Sequence, residues 1–597
     1  MKRSYQQHIF HVPLLNIIVL CSILLGGCTY RVNNIIDQPD ANPGDFRCEI
    51  AVNGGPDVIT NNAGRCTLRA AIEEANATIA SDTIEVPPGV YELTLPFNQG
   101  GGRLQITEDV DIKGSGANVT AVDGIHETRV FAIGTSNDSA DVTISGLTIQ
   151  NGRGGSMLSG GGINIVEGST LELRDSIVRD NETSAPGGGI ANDGSLYLFR
   201  STVRDNRIPN DSTIETPPSA GGGGTQHSGA GIMNFLGADL TIENSTITGN
   251  FTTRGGGVRN AGGTMEIRNS TISGNTARIR GGGLMNYGDA DISFTTITDN
   301  QARSTPGNAD SEVHGGGGIF NIGEITLVNS ILADNIDTEG SLGYSPDCRT
   351  DTPNPPSDPV PGLISSQGGN IIGVLTSDCN VETNSDLTGT ENNPLDPNLN
   401  VLSNWGGTTR THRIQLDSSA IDHGSGFGGC PTTDQRGYIR PVDGNEDGNA
   451  VCDSGSIERG AVPLVLPITE VEASSHEPPN VPNNVIDTNL TSRWAANGLD
   501  EYISINLGST RVISSISLAW YRGDERRARF FIQSSTDNQH WITIGDPNVP
   551  RESSGGTLNL EEYDFQDQTG QYVRIVGRGN DENDWISLTE AEIRGGL

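Results

Sequence analysis

Two pairs of side chains stand at fixed offsets before glycine-rich runs, and their types suit an acidic sugar. Arg254 and Arg280 each lie four residues before an aliphatic residue, in "RGGGV" and "RGGGL". His227 and His314 each lie five before theirs, in "HSGAGI" and "HGGGGI". Paired guanidiniums can hold a uronate carboxylate, and a basic side chain beside them could take the C5 proton in a lyase reaction. A hydrolase instead needs two acids flanking the bond, and the repeats carry no Asp-Asp pair. Lysine, a frequent lyase residue, is nearly absent: after Lys2 only Lys113 remains, outside the aligned repeats. A third signal, "DGNEDGN", spaces Asp443, Asn445 and Asp447 as a calcium loop does, without the distal Glu of an EF-hand.

The frame that positions these residues is a repeat. "TIENSTITGN" at 241–250 returns as "EIRNSTISGN" 25 residues later. Aligning on the Asn gives Asn181, Asn206, Asn250, Asn275, Asn300 and Asn335, one 25-residue unit broken by two insertions. Three, eight and ten residues before each Asn stand aliphatic or small residues, such as Ile247, Ile242 and Leu240, which is a strand's period of two. Each unit holds only short strands and Gly/Asn turns, with no room for a crossover helix, so the units stack as a solenoid. Stacking at about 4.8 Å aligns the Asn residues into a ladder and sets Arg254 and Arg280 about 5 Å apart. His227 and His314, three coils apart, are separated by about 14 Å, too far to act on one bond. Both insertions enter this corner, which makes a groove for an acidic polymer one reading and solvated corner residues the other.

Gly at 79 of 597 residues and aromatics at 5% suit many short strands better than a helical enzyme. A formal net charge of −37 argues against nucleic acid or anionic membrane surfaces as partners. Lys2 and Arg3 precede a short apolar run, expected as an export signal. With Cys21 and Cys28 set aside, six cysteines group as Cys48/Cys66, Cys348/Cys379 and Cys430/Cys452, and neighbour pairing is the simplest of fifteen disulfide patterns.

Several stretches resemble known families. "LLGGC" is similar to the lipobox of bacterial lipoproteins, which implies signal residues 1–27 and a lipid on Cys28. The expected location is then the cell envelope, outer membrane or cell surface, with the lipid as the only membrane contact; an ordinary signal peptide is the alternative. The repeat resembles the right-handed parallel β-helix of the pectate-lyase type. "CTLRAAIEEANATIASDTIEVPPGVYELT" is similar to the CSLREA segment of exported bacterial β-helices, with "LRAAIEEANA" expected as a helical cap. "NWGGTTRTHRIQLDSSAID" through "DQRGYIRP" to "CDSGSIERG" resembles the choice-of-anchor Q region.

Beyond about residue 463 the repeat ends and aromatics rise. "VIDTNLTSRWAANG", "YISINLG", "FIQSSTDNQHW" and "YVRIVG…ISLTEAEIRG" resemble the discoidin, or factor 5/8 type C, family, a β-sandwich that binds carbohydrates or lipids at one loop end. The resemblance implies a structural Ca2+ held by Asp487, Thr491 and Glu590. For sugar binding, Trp520, Tyr521, Asp524, Arg526, Asn580 and Trp585 lie in or beside two loops, with Trp520 the one expected to be core.

The expected fold class is all-β: a right-handed parallel β-helix followed by a discoidin-like (galactose-binding-like) β-sandwich. Expected boundaries are a linker at 28–45, the capped β-helix at 46–390, its choice-of-anchor Q-like C-terminal end at 391–462, and the sandwich at 463–597. The expected function is a lipid-anchored surface protein with a β-helix platform and a glycan-binding module, without catalysis. The rival is a polysaccharide lyase or glycosidase acting on the β-helix face, and a third reading has the sandwich bind lipid or protein.

Overall fold

The computed structural model describes residues 27–50, 64–96, 101–155, 159–209, 228–303, 315–338, 344–351, 362–382 and 385–596. The described residues between 27 and 388 form a parallel β-helix. A sheet runs from Thr29–Arg31 to Val381–Glu382, a second from Gly89–Glu92 to Leu387–Thr388, and a third from Leu104–Ile106 to Cys348–Thr350. A full coil contributes one strand to each sheet, as Asp239–Glu243, Thr246–Thr248 and Val258–Asn260 do in the coil of the repeated phrase. Leu240, Ile242 and Ile247 point into the shared core and are fully buried.

The corners explain the polar letters of the phrase. Asn244 (φ 51°) and Gly249 (φ 68°) take the left-handed conformation that turns the chain sharply, which Gly and Asn tolerate best. The next residue in each case is a rung. The Ser270 hydroxyl accepts the Ser245 N–H at 3.1 Å. The Asn275 Oδ1 accepts both the Asn250 N–H (3.1 Å) and the Asn250 side-chain amide (2.9 Å). The same bonds join Asn181 to Asn206, Asn206 to Asn250, Asn275 to Asn300 and Asn300 to Asn335. A second ladder runs through Asn192, Asn234, Asn260, Asn286 and Asn321. Buried amides thus find partners in the neighbouring coil, as burial demands.

The open end is capped by the helix Leu68–Ala75, whose N-cap Thr67 side chain accepts the Ala70 N–H. Residues 28–45, expected as linker, are instead part of the body. Thr29–Arg31 pairs with Asp82–Val86, because Tyr30 and Val32 alternate with polar residues and bury against the first coil. The pairs Cys48–Cys66, Cys348–Cys379 and Cys430–Cys452 are disulfides, the neighbour pattern.

Residues 391–462 do not continue the stack. They run back along the outer face of the second sheet, whose outward side chains are Thr246, Thr271, Ser273 and Thr296. Gln435 donates to the Ser245 carbonyl and accepts from Thr271 Oγ1 at 2.6 Å. His412 Nε2 meets Ser273 Oγ at 2.8 Å, and the Ser456 N–H donates to Thr296 Oγ1. This strap has isolated bridges in place of extended strands, and it is held on the sheet by side-chain hydrogen bonds and by an apolar patch in which Ile414 and Ala420 meet Ile331, Ala333 and Ile371.

The C-terminal unit is an antiparallel β-sandwich around Trp494, Ile503, Ile516, Phe530 and Ile575. Tyr502–Trp520 and Glu561–Asn580 are long partners with register shifts after Asn506 and Ile513, where they bend from one layer to the other. The bend end docks on the strap and on the β-helix: the Gly407 N–H of the strap donates to Asp567, and Arg31 of the β-helix donates to Gln539. Among the described residues no helix is long and apolar enough to cross a membrane.

Candidate functional site

The opposite end of the sandwich carries loops 487–493, 521–527 and 580–585. Tyr521 is partly exposed there, with the Arg493 guanidinium 3.8 Å from its ring centroid and that of Arg526 at 5.4 Å. Arg526 Nε also donates to the Tyr521 carbonyl. Arg522 stands alongside, paired with Glu525 and 3.7 Å from Glu582, which lies 3.9 Å from Arg526. Burial, then the like charge of Arg522, lower the pKa of the Arg526 guanidinium. Arg493 Nε is buried with no hydrogen-bond partner. Arg493 and Arg526 on the Tyr521 ring, with Arg522 alongside, form a cationic and aromatic cluster that can bind a carboxylate.

Of the residues expected for sugar binding, Tyr521 and Arg526 come together here, Trp585 is half-buried at the start of Trp585–Gly596, and Asp524 is exposed. Two others have structural places. Trp520 is core: its ring lies 4.7 Å from that of Phe530, and its Nε1 donates to Tyr563. Asn580 folds its own loop, donating to Asn583 and to the Trp585 carbonyl while accepting the Glu582 and Asn583 N–H groups. That leaves its amide nothing to offer a sugar. Arg493 was missed because 28 residues separate it from Tyr521; its place beside Trp494, after the first loop, was the available signal.

Asp487 and Glu590 lie close enough for the Asp487 charge to raise the Glu590 carboxyl. Burial is the larger cause, and together they push it up to about 7. Glu590 Oε2 is buried without a partner. A hard cation would supply the missing charge, so the pair fits Ca2+. Thr491 is engaged elsewhere, donating to Asn489 Oδ1 at 2.7 Å. Among the described residues no group of three or more His, Cys, Asp or Glu could hold a metal. In the 443–449 loop the Asp443 carboxylate accepts the Asp447 and Gly448 N–H groups, which closes its own turn.

On the β-helix, Arg254 and Arg280 are direct partners in adjacent coils. Arg280 lies 4.9 Å over the Phe320 ring. Arg259, absent from the sequence-based set, sits next to them; burial pushes its guanidinium down to about 10, and Arg254 and Arg280 push the same way. His227 and His314 lie outside the described residues.

Fold and loop geometry together define the C-terminal unit as a discoidin-class sandwich. Residues 470–591 match the F5/8 type C domain family. Among solved structures, the CBM32 of AlyQ in complex with 4,5-unsaturated mannuronic acid is 40% identical over 22% of this chain and 97% of its own, with a TM-score of 0.21. A pectin-binding carbohydrate-binding module is 28% identical over 21% of this chain and 91% of its own, TM-score 0.20. The family 32 module of C. perfringens NanJ, in complex with galactose, is 17% identical over 22% and 99%, TM-score 0.20. No curated protein matches the chain.

Proposed function

We propose that this chain is an exported, lipid-anchored surface protein whose discoidin module binds a uronate-bearing glycan, with the β-helix as a non-catalytic platform. The observation that carries the reading is Tyr521, exposed between Arg493 and Arg526 at the sandwich end away from the β-helix. The family match at 470–591 supports a glycan as ligand. Titration of the mature chain with mannuronate and galacturonate oligosaccharides tests it. Tyr521→Ala is expected to weaken binding about tenfold, the loss of roughly 1.4 kcal/mol of aromatic and charge contact. Unchanged affinity in that variant would sink the assignment, and unsaturated uronate ends appearing on incubation would make the chain a lyase.

Ca2+ at Asp487 and Glu590 is part of the proposal. Added Ca2+ is expected to raise the melting temperature of the protein by a few degrees through preferential binding to the folded state. The Glu590→Gln variant is expected to lose that response, and an equal rise in both proteins would remove the site. The anchor rests on the "LLGGC" motif. Cys28 is buried, with its N–H bonded to Asp82. The lipid would then sit at the first coil with no spacer. Cys28→Ala is expected to move the protein from the membrane fraction to the soluble one; retention on the membrane would refute the anchor.

A further inference from the structure

A cleft of about 1150 Å3 separates the docked end of the sandwich from the first coils of the β-helix. One wall is the outer face of the first sheet. Arg31, Glu85, Lys113, Ser145 and Arg174 are register partners on five successive coils, so they form a single row. At about 4.8 Å per coil the row is roughly 19 Å long, and its three cations recur every second coil, about 9.6 Å apart. The other wall, from the sandwich, offers Thr510, Thr536, Thr569 and Gln571, while His540 is held by the Asp537 carboxylate and Gln539 accepts from Arg31 across the cleft.

We propose that this cleft binds a linear uronate oligosaccharide along the row, as a site separate from the Tyr521 loop end. A two-fold ribbon of 1,4-linked uronates presents carboxylates on one side at about the spacing of the three cations. The hydroxyl and carboxamide groups opposite match sugar hydroxyls. Each cation already has a carboxylate: Arg31 pairs with Glu85 (2.8 Å), Lys113 with Asp111 (2.7 Å) and Arg174 with Glu172. Those cations are 36–52% exposed, and pairs of that kind contribute little, so a ligand carboxylate displaces them at small cost. Arg200–Asp175, by contrast, is a buried pair at the cleft edge and stays fixed. The chain's charge of −37 opposes a polyanion only weakly at this distance, since salt screens charges beyond about 8 Å.

Lys113 is the one lysine of the mature chain, which makes it a reporter. Acylation of its amine by an N-hydroxysuccinimide ester is followed by peptide mapping, which resolves it from the terminal amine. Mannuronate or galacturonate oligosaccharide at ten times its dissociation constant is expected to slow Lys113 acylation about tenfold. The slowing is expected to persist in an Arg493→Ala/Tyr521→Ala variant. Three results would overturn the proposal: unchanged acylation, protection lost with the loop-end variant, or equal protection by a neutral oligosaccharide. Because the loop-end site is scored by affinity and this one by Lys113, either can fail alone.

Discussion

Replacing Asn275 by alanine is expected to destabilise the β-helix by about 4 kcal/mol, because truncation strands several buried polar groups costing roughly 1–3 kcal/mol each. The Asn275 amide donates to Asn300 Oδ1, to the Ile247 carbonyl and to the Ser273 carbonyl, at 2.9, 2.9 and 3.3 Å. Its Oδ1 receives the Asn250 main-chain and side-chain N–H groups. Asn250, Asn275 and Asn300 are all fully buried, so water cannot take over these bonds without opening the stack. The neighbouring aliphatic rung sets the comparison: Ile272→Val, in the same coil, is expected to cost only about 1 kcal/mol as a lost methylene. Guanidinium unfolding of both variants gives the two values. A cost for Asn275→Ala no greater than that for Ile272→Val would show that the ladder fills space and bonds little.

The ladder was legible in the sequence because its partners recur at one fixed interval. Asn250 finds Asn275 through a separation of 25, and the same number finds Asn300. The period-two aliphatics and the Gly or Asn corners follow from that register. The strap was not legible for the opposite reason. Asn269 meets Thr433, and Thr271 meets Gln435, each across 164 residues and with no repeat to announce it. A covered Thr and a solvated Thr have the same letter. The segment 28–45 was misread because only Tyr30 and Val32 mark its strand, too short a run to outweigh the turn-forming residues after it. At the loop end, residue type was visible and place was not: Trp520 is the last residue of its strand and Tyr521 the first of the loop. One is core and the other faces solvent.

Arg440→Met is expected to cost about 3–5 kcal/mol, since removing one partner of a buried ion pair leaves its acid uncompensated. Arg440 and Glu458 are both fully buried at the side chain, 2.8 Å apart. Arg440 also donates to the Gly455 carbonyl and to Asn269 Oδ1 on the β-helix, so it ties the strap to the coil it covers. Asp453 lies in the same network. Burial, then Glu458, push its carboxyl up to about 7, while Arg440 pulls the other way. A folded-state pKa above the unfolded one means that the folded chain holds the proton more tightly. The contribution of Asp453 to stability is therefore largest below its ordinary range near 4 and is lost as pH rises through about 7. Without Arg440 both acids lose their cation, so the cost of Arg440→Met is expected to be greater at pH 8 than at pH 5. Adding Glu458→Gln removes one of the stranded charges and is expected to recover much of the loss. Hydrogen exchange should place the damage first at the strap and at the outward Thr271 and Thr296 strands. A uniform, pH-independent loss of under about 1 kcal/mol would mean that the pair is replaceable by packing alone and that the strap is held by its threonine and apolar contacts.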